Sequence, residues 1–104
     1  MIIVTTRINV AMGRMSEGLD WAERIIKAMT EGDSAPQKWW LLRQIAVNPN
    51  TFAFAGQYAS MGEYEKQMNK FGADPAYQAL IKEMGERDWA LGNERTIAQV
   101  IDEG

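Results

Sequence analysis

The chain has 104 residues, the size of one domain, and is 46% hydrophobic and 24% charged, which favours a globular fold over disorder. With no cysteine and no histidine it offers no disulfide, no thiol nucleophile, no thiolate metal site and none of the imidazoles that most often serve as general base or haem ligand. A net charge of −3 argues against nucleic acid as a partner, and the lack of an apolar run of about 18–20 residues or of a signal-peptide pattern predicts a cytoplasmic protein without a membrane association.

The residues Ile2 to Val10 are rich in β-branched side chains and read as a strand. Alternation puts Ile2, Val4, Thr6, Ile8 and Val10 on one face and Ile3, Thr5, Arg7 and Asn9 on the other. Gly13 ends the strand. A helix is predicted from about Ser16 to Met29, with Ser16 as N-cap and Glu17 in the first turn. Leu19, Ala22, Ile26 and Met29, with Ile25 beside them, form its apolar stripe. Asp20–Arg24 and Glu23–Lys27 are spaced as surface pairs. Gly32 is the expected stop, and 32–36 the loop behind it.

Two strands follow, Lys38 to Val47 and Phe52 to Tyr58, joined at Asn48-Pro49-Asn50-Thr51, a sequence suited to a turn. Phe52, Phe54, Gly56 and Tyr58 share one face; Ala53, Ala55 and Gln57 share the other. A four-residue turn sets Val47 opposite Phe52 and brings Trp39, Leu41 and Ile45 to the aromatic face. A slip of one residue would bring Trp40, Leu42 and Gln44 there instead. The first register gathers more apolar area.

Ser60-Met61-Gly62-Glu63 is a capping box. The helix it opens carries Met61, Tyr64, Met68 and Phe71 on one side and is interrupted at Gly72. Asp74-Pro75 restarts it, with Asp as N-cap and Pro at the first helical position, and Tyr77, Leu80, Ile81 and Met84 form its stripe. The last strand is expected from about Arg95 to Ile101.

The order βαββαβ predicts a ferredoxin-like α+β domain over 1–104: a four-stranded antiparallel sheet, first and third strands central, helices on one face. Ile2, Val4, Ile8, Phe52, Phe54 and Tyr58 should face the helices. The other face, with Arg7, Asn9, Ala53, Ala55 and Gln57, is too apolar for a plainly solvated surface and too polar for a dry core. Its alanines let another sheet approach, so these five residues are the dimer-interface candidates.

The segments Ala11-Met12-Gly13-Arg14-Met15, Tyr58-Ala59-Ser60 and Asp74-Pro75-Ala76-Tyr77-Gln78-Ala79-Leu80 resemble the dimeric α/β-barrel superfamily, in particular its NIPSNAP-like and antibiotic-biosynthesis-monooxygenase-like branches. The similarity covers nearly the whole chain, but these motifs specify turns, caps and helix packing rather than chemistry. The resemblance implies a homodimer joined through its sheet faces and a small-molecule cleft between helices and sheet in each subunit. Monooxygenases of the superfamily often place a tryptophan two residues before the polar residue that starts the second helix; here that position holds Tyr58. Haem-degrading members use an asparagine on the first strand, a position that falls at Thr6 here, with Asn9 nearby, and a histidine on the second helix. This chain has no histidine, which disfavours haem degradation by that mechanism, and cofactor-free oxygenation loses support as well.

Thr6, Trp39, Tyr58, Tyr64 and Tyr77 are the candidates for lining a cleft for a flat apolar ligand, the tyrosines and tryptophans supplying both surface and hydrogen bonds. Core packing is the competing explanation for each. Seven methionines, Met61, Met68 and Met84 among them, suit irregular cavities or core gaps. Arg7, Arg43 and Arg95 fall on strands, where structural ion pairs are favoured over anchoring of a carboxylate. Glu63 and Asp74 have capping roles, and no acid pair, calcium loop or glycine-rich phosphate motif is present. No metal and no cofactor is expected. The leading expectation is a homodimer that binds a small, mostly apolar molecule. A monooxygenase-like enzyme acting on an activated aromatic and a structural module without a ligand are the alternatives.

Overall fold

A computed structural model describes residues 1–31 and 35–104. The β-branched opening segment forms strand β1 (Ile2–Val10), followed by helix α1 (Met15–Thr30), strands β2 (Lys38–Arg43) and β3 (Thr51–Tyr58), helices α2 (Met61–Gly72) and α3 (Pro75–Glu86), and strand β4 (Ala90–Gln99). The sheet is antiparallel in the order β2-β3-β1-β4, so the two strands richest in alternating apolar residues are central. All three helices lie on one side, giving the ferredoxin-like α+β fold. The molecule is a slab of 36 × 36 × 17 Å. No described helix is long and apolar enough to cross a membrane.

Cross-strand pairing arranges the sheet in rows. On the helix side Leu41, Phe54, Thr6 and Arg95 form one row, and Arg43, Phe52, Ile8 and Asn93 the next. On the open side the rows are Trp40, Ala55, Thr5, Thr96 and Leu42, Ala53, Arg7, Glu94. Ala53 and Ala55 are buried within the single chain, because the longer side chains of their cross-strand neighbours flank them. Asn9 Oδ1 accepts from Thr51 Oγ1 (3.1 Å), and Gln57 Nε2 donates to Gln37 Oε1 (3.3 Å).

Two clusters make the core. Trp21, Ala22, Ile25 and Met29 of α1 pack with Ile8, Phe52, Phe71, Tyr77 and Trp89; Tyr64 of α2 packs with Ile2, Val4 and Tyr58. Gly18 sets the closeness of α1 to the sheet: a Cβ there would lie 3.0 Å from Phe52 Cε1 and 3.3 Å from Val10 Cγ2. Helices α1 and α3 are joined by Trp21 Nε1 donating to the Leu80 carbonyl (2.7 Å), and by Arg24 forking onto Glu83 (2.9 and 2.5 Å) while also meeting Asp20 (3.2 Å).

Four local expectations are corrected. Ser16 lies inside α1. Gly13, at φ +80°, turns the chain so that Arg14 N–H donates to the Ala11 carbonyl, and the helix starts at Met15 with Arg14 at the N-cap position and no side-chain cap. Arg14 instead reaches Glu17 (2.6 Å) and Asp88. The expected stop at Gly32, together with Asp33 and Ser34, lies outside the described residues.

Strand β2 ends at Arg43, not Val47. Val47 sits at φ +69°, a left-handed conformation no strand can contain, and Asn48 Oδ1 accepts from Asn50 N–H (3.3 Å) in a wider turn. Arg43, rather than Val47, opposes Phe52. The displacement is four residues, an even number, so Trp39 and Leu41 keep the aromatic face while Ile45 leaves the sheet. Strand β4 begins at Ala90, five residues ahead of the expected start, because β1 pairs with Gly92, Asn93 and Glu94 despite their weak strand preference. The Ser60 and Asp74 caps form as expected, Ser60 Oγ accepting from Glu63 N–H (3.3 Å) and Asp74 Oδ1 from Ala76 N–H (2.9 Å).

Candidate functional site

The two helix-side rows form the floor of a cavity of about 250 Å³. Thr6 and Ile8 come from β1, Phe52 and Phe54 from β3, and Asn93 and Arg95 from β4. The apolar stripe of α1, Trp21 to Met29, supplies one wall. Helix α3 supplies the other through Tyr77, Ile81 and Met84. The volume exceeds the roughly 150 Å³ that suffices to hold benzene in an apolar cavity. Most of the wall is hydrocarbon or aromatic ring; the polar groups are those of Thr6, Asn93, Arg95 and Tyr77.

Arg95 ties the floor to α2. Its Nε donates to Thr6 Oγ1 (3.2 Å), its Nη1 donates to Tyr64 Oη (3.0 Å), and Met68 Sδ lies 3.8 Å from Nη1. Row geometry explains this reach: Thr6 and Arg95 are direct cross-strand partners, so both side chains rise from the same face. Within the single chain Arg95 has no ion pair: its partners are neutral, and among the described residues no carboxylate lies within ion-pair distance of it.

A second, much smaller space of about 20 Å³ adjoins the first across Thr6, Met29, Phe54 and Arg95 and reaches Tyr58 and Tyr64. Of the sequence candidates, then, Thr6 and Tyr77 border the large cavity, and Thr6, Tyr58 and Tyr64 border the small one. Trp39 borders neither; it lies on the helix side of β2, its ring 6.2 Å from that of Phe54.

Tyr77 is fixed by stacking on Phe71, ring centres 4.4 Å apart and planes within 8°, across the α2–α3 break. Burial pushes its phenol above the ordinary range, with nearby Arg95 opposing the shift. Burial also raises the Tyr58 phenol, whose hydroxyl donates to Gln67 Oε1. Both phenols are therefore protonated at neutral pH, able to hydrogen-bond but not to act as bases. Gln67 is wholly buried, and its Nε2 has no partner among the described residues. Sequence reasoning passed over it, although it lies three residues after Tyr64 and four before Phe71, on the same helical stripe. Asn93 was also missed, since it falls ahead of the expected start of the last strand. Among the described residues no cluster of acidic side chains is placed to hold a metal ion.

No protein-family model matches the sequence, and no curated protein is significantly similar to it. Solved structures are similar in fold. A NIPSNAP family protein from Agrobacterium tumefaciens is 19% identical, with a TM-score of 0.76 over 98% of this chain and 95% of that one. An antibiotic-biosynthesis-monooxygenase-like protein from Deinococcus radiodurans is 12% identical, with a TM-score of 0.76 over 99% and 95%. A variant of MhuD, solved with two manganese protoporphyrin IX molecules per active site, is 14% identical, with a TM-score of 0.74 over 100% and 98%. The chain thus has the ferredoxin-like fold of the NIPSNAP and antibiotic-biosynthesis-monooxygenase-like proteins, along nearly its entire length.

Proposed function

We propose that this chain forms a homodimer through its open sheet faces and binds a small, mostly apolar molecule between α1, α3 and the sheet. The observation that carries the binding reading is the cavity of about 250 Å³, walled by Ile25, Met29, Phe52, Phe54 and Ile81. The space is open at its polar end, where Asn93 and Arg95 are exposed, which gives a ligand a way in.

The dimer reading rests on the bare face. The chain exposes 6570 Å², against roughly 5900 Å² expected for a monomer of this mass by area scaling. The excess follows from the slab shape, 17 Å thick, which leaves one whole sheet face without a covering layer. Leu42 is 48% exposed at one end of that face, beside the buried alanines. Ala55→Glu places a charge at its middle, where a second sheet would have to desolvate it. The variant should sediment with the mass of one chain while the parent sediments with twice that mass. A parent that remains a single chain at millimolar concentration overturns the dimer.

The ligand reading is tested by thermal unfolding in the presence of one- and two-ring aromatic compounds. A compound present at tenfold over its Kd adds about 1.4 kcal/mol, or roughly 6–11 °C in Tm for a domain of this length. Ala22→Phe and Ile81→Phe each push a ring into the cavity and should abolish the shift. The reading fails if no compound raises Tm, or if the shifts survive in both filled variants.

The fold likeness to monooxygenase-like proteins makes an enzyme the second reading. The lining favours binding alone: it contains no carboxylate, and its one phenol, Tyr77, is held protonated. Nor do the residues suit a haem, for the chain has neither histidine nor cysteine and a raised phenol pKa opposes the phenolate that ligates iron.

A further inference from the structure

We propose that the ligand of this cavity is an apolar carboxylate, its ring or chain buried between α1 and α3 and its carboxylate received by Arg95. This deepens the binding reading above and rests on it.

Four observations converge. Arg95 is the one charged group among the described residues lining a mostly apolar cavity. Both neighbours that hold its guanidinium, Thr6 Oγ1 at 3.2 Å and Tyr64 Oη at 3.0 Å, are neutral hydroxyls, which orient the group without cancelling its charge. Among the described residues no carboxylate lies within ion-pair distance of it, and the other cation on the helix side of the sheet, Arg43, borders neither space. The acid next to Arg95 in sequence, Glu94, opposes Arg7 and so points to the other face of the sheet.

An arginine held by two hydroxyls but lacking an anion is a preformed receptor, because its charge is uncancelled and its Nη2 makes no hydrogen bond among the described residues, leaving that nitrogen to donate to a carboxylate oxygen. Stoichiometry selects the anion. Neither the large cavity nor the small one beside it is lined by any other cation, so one positive charge meets one negative charge. A phosphate dianion would be left half-compensated. The Tyr77 phenol and the Asn93 amide lie on the same lining and add hydrogen-bonding capacity near the charged end. The rest of the wall accepts only hydrocarbon, which excludes small polar acids.

The test is calorimetric titration with three probes that share one ring system: naphthoate, the neutral naphthalenemethanol, and naphthyl phosphate. The parent should bind naphthoate about tenfold more tightly than the alcohol at low salt, the lower end for a charge-assisted contact because Arg95 is partly in solvent. The phosphate should bind no better than naphthoate. In Arg95→Gln the preference for naphthoate over the alcohol should fall below about threefold, while the alcohol's own Kd stays within about threefold of the parent value. Arg95→Lys, which keeps the charge but loses the fork, should fall between.

Equal affinity of the parent for naphthoate and the alcohol overturns the carboxylate assignment and leaves the apolar cavity standing. So does a preference that survives Arg95→Gln, or tighter binding of the phosphate. Failure of all three probes, alcohol included, removes the binding reading itself. Unfolding midpoints of both variants within a few degrees of the parent separate loss of the receptor from loss of the fold.

Discussion

Trp89→Ala is expected to destabilise the protein by about 3–5 kcal/mol, a large share of the 5–15 kcal/mol that holds a domain together. Trp89 is 3% exposed and lies between two other rings, 5.8 Å from Trp21 of α1 and 6.5 Å from Phe52 of β3. It also faces Gly18, where a Cβ would be 3.4 Å from its Cε3, so the indole packs beside the point where α1 comes closest to Phe52 and Val10 of the sheet. The residue occupies the junction of α3 and β4, and its carbonyl accepts from Ala11 N–H (2.8 Å). Truncation leaves that backbone bond but empties the space where helix, central strand and edge strand meet. The backbone cannot collapse into it, because β1 pairs on both sides. Trp89→Phe keeps one ring and should lose about half as much. Denaturant unfolding measures both; a loss below about 1 kcal/mol for the alanine variant contradicts this account. Trp89 does not border the cavity, but Trp21 and Phe52, which pack on it, do, so Trp89→Phe, which keeps a ring against them, is the variant whose folded fraction should bind apolar compounds as the parent does.

The same region shows which parts of the molecule a single sequence discloses. The two faces of β1 were legible because alternation is a local property, and the caps at Ser60 and Asp74 because each uses a side chain only two or three residues from the donor it satisfies. The second helix stripe was legible for the same reason. What depended on a neighbouring strand was not. Residues 90–94 contain Gly92 and Asn93, which discourage a strand, and only the template of β1 draws them into the sheet. The end of β2 turned on a positive φ at Val47, a conformation β-branched residues seldom adopt and no local pattern announces. The register error at the hairpin was harmless to the faces only because it was even.

These two kinds of information meet at the cavity. Its apolar walls are the helix stripes, read directly from spacing. Its polar end is Arg95 over Thr6, a pair that exists only once β1 and β4 are aligned. Three strand arginines look alike in the sequence; pairing sends Arg7 to the open face opposite Glu94 and both Arg43 and Arg95 to the helix side, where Arg95 borders the cavity and Arg43 does not. The hydrocarbon of the site was thus visible early, while its charge was not.

Gln67 and Tyr58 lead to the second large effect. Tyr58→Phe should cost about 2 kcal/mol, more than the loss of a hydroxyl usually does, because it strands a buried amide. Gln67 is 0% exposed; its Oε1 accepts from Tyr58 Oη, and its Nε2 already lacks a protein partner. Without the phenol, neither end of the amide is bonded to protein. Gln67→Leu alone should cost less, since it removes one unpaired donor while orphaning the Tyr58 hydroxyl. The double variant Tyr58→Phe with Gln67→Leu removes every polar atom of the pair in a pocket made by Ile2, Val4 and Tyr64, and should unfold within about 0.5 kcal/mol of the parent or above it. The coupling between the two substitutions is then about 1–3 kcal/mol in the favourable direction. Strict additivity, measured by denaturant unfolding with an unchanged slope, would mean that the amide does not depend on the phenol. A coupled result means that the pair is a single polar unit set in an apolar cluster, retained at a cost in stability that hydrocarbon side chains would not impose.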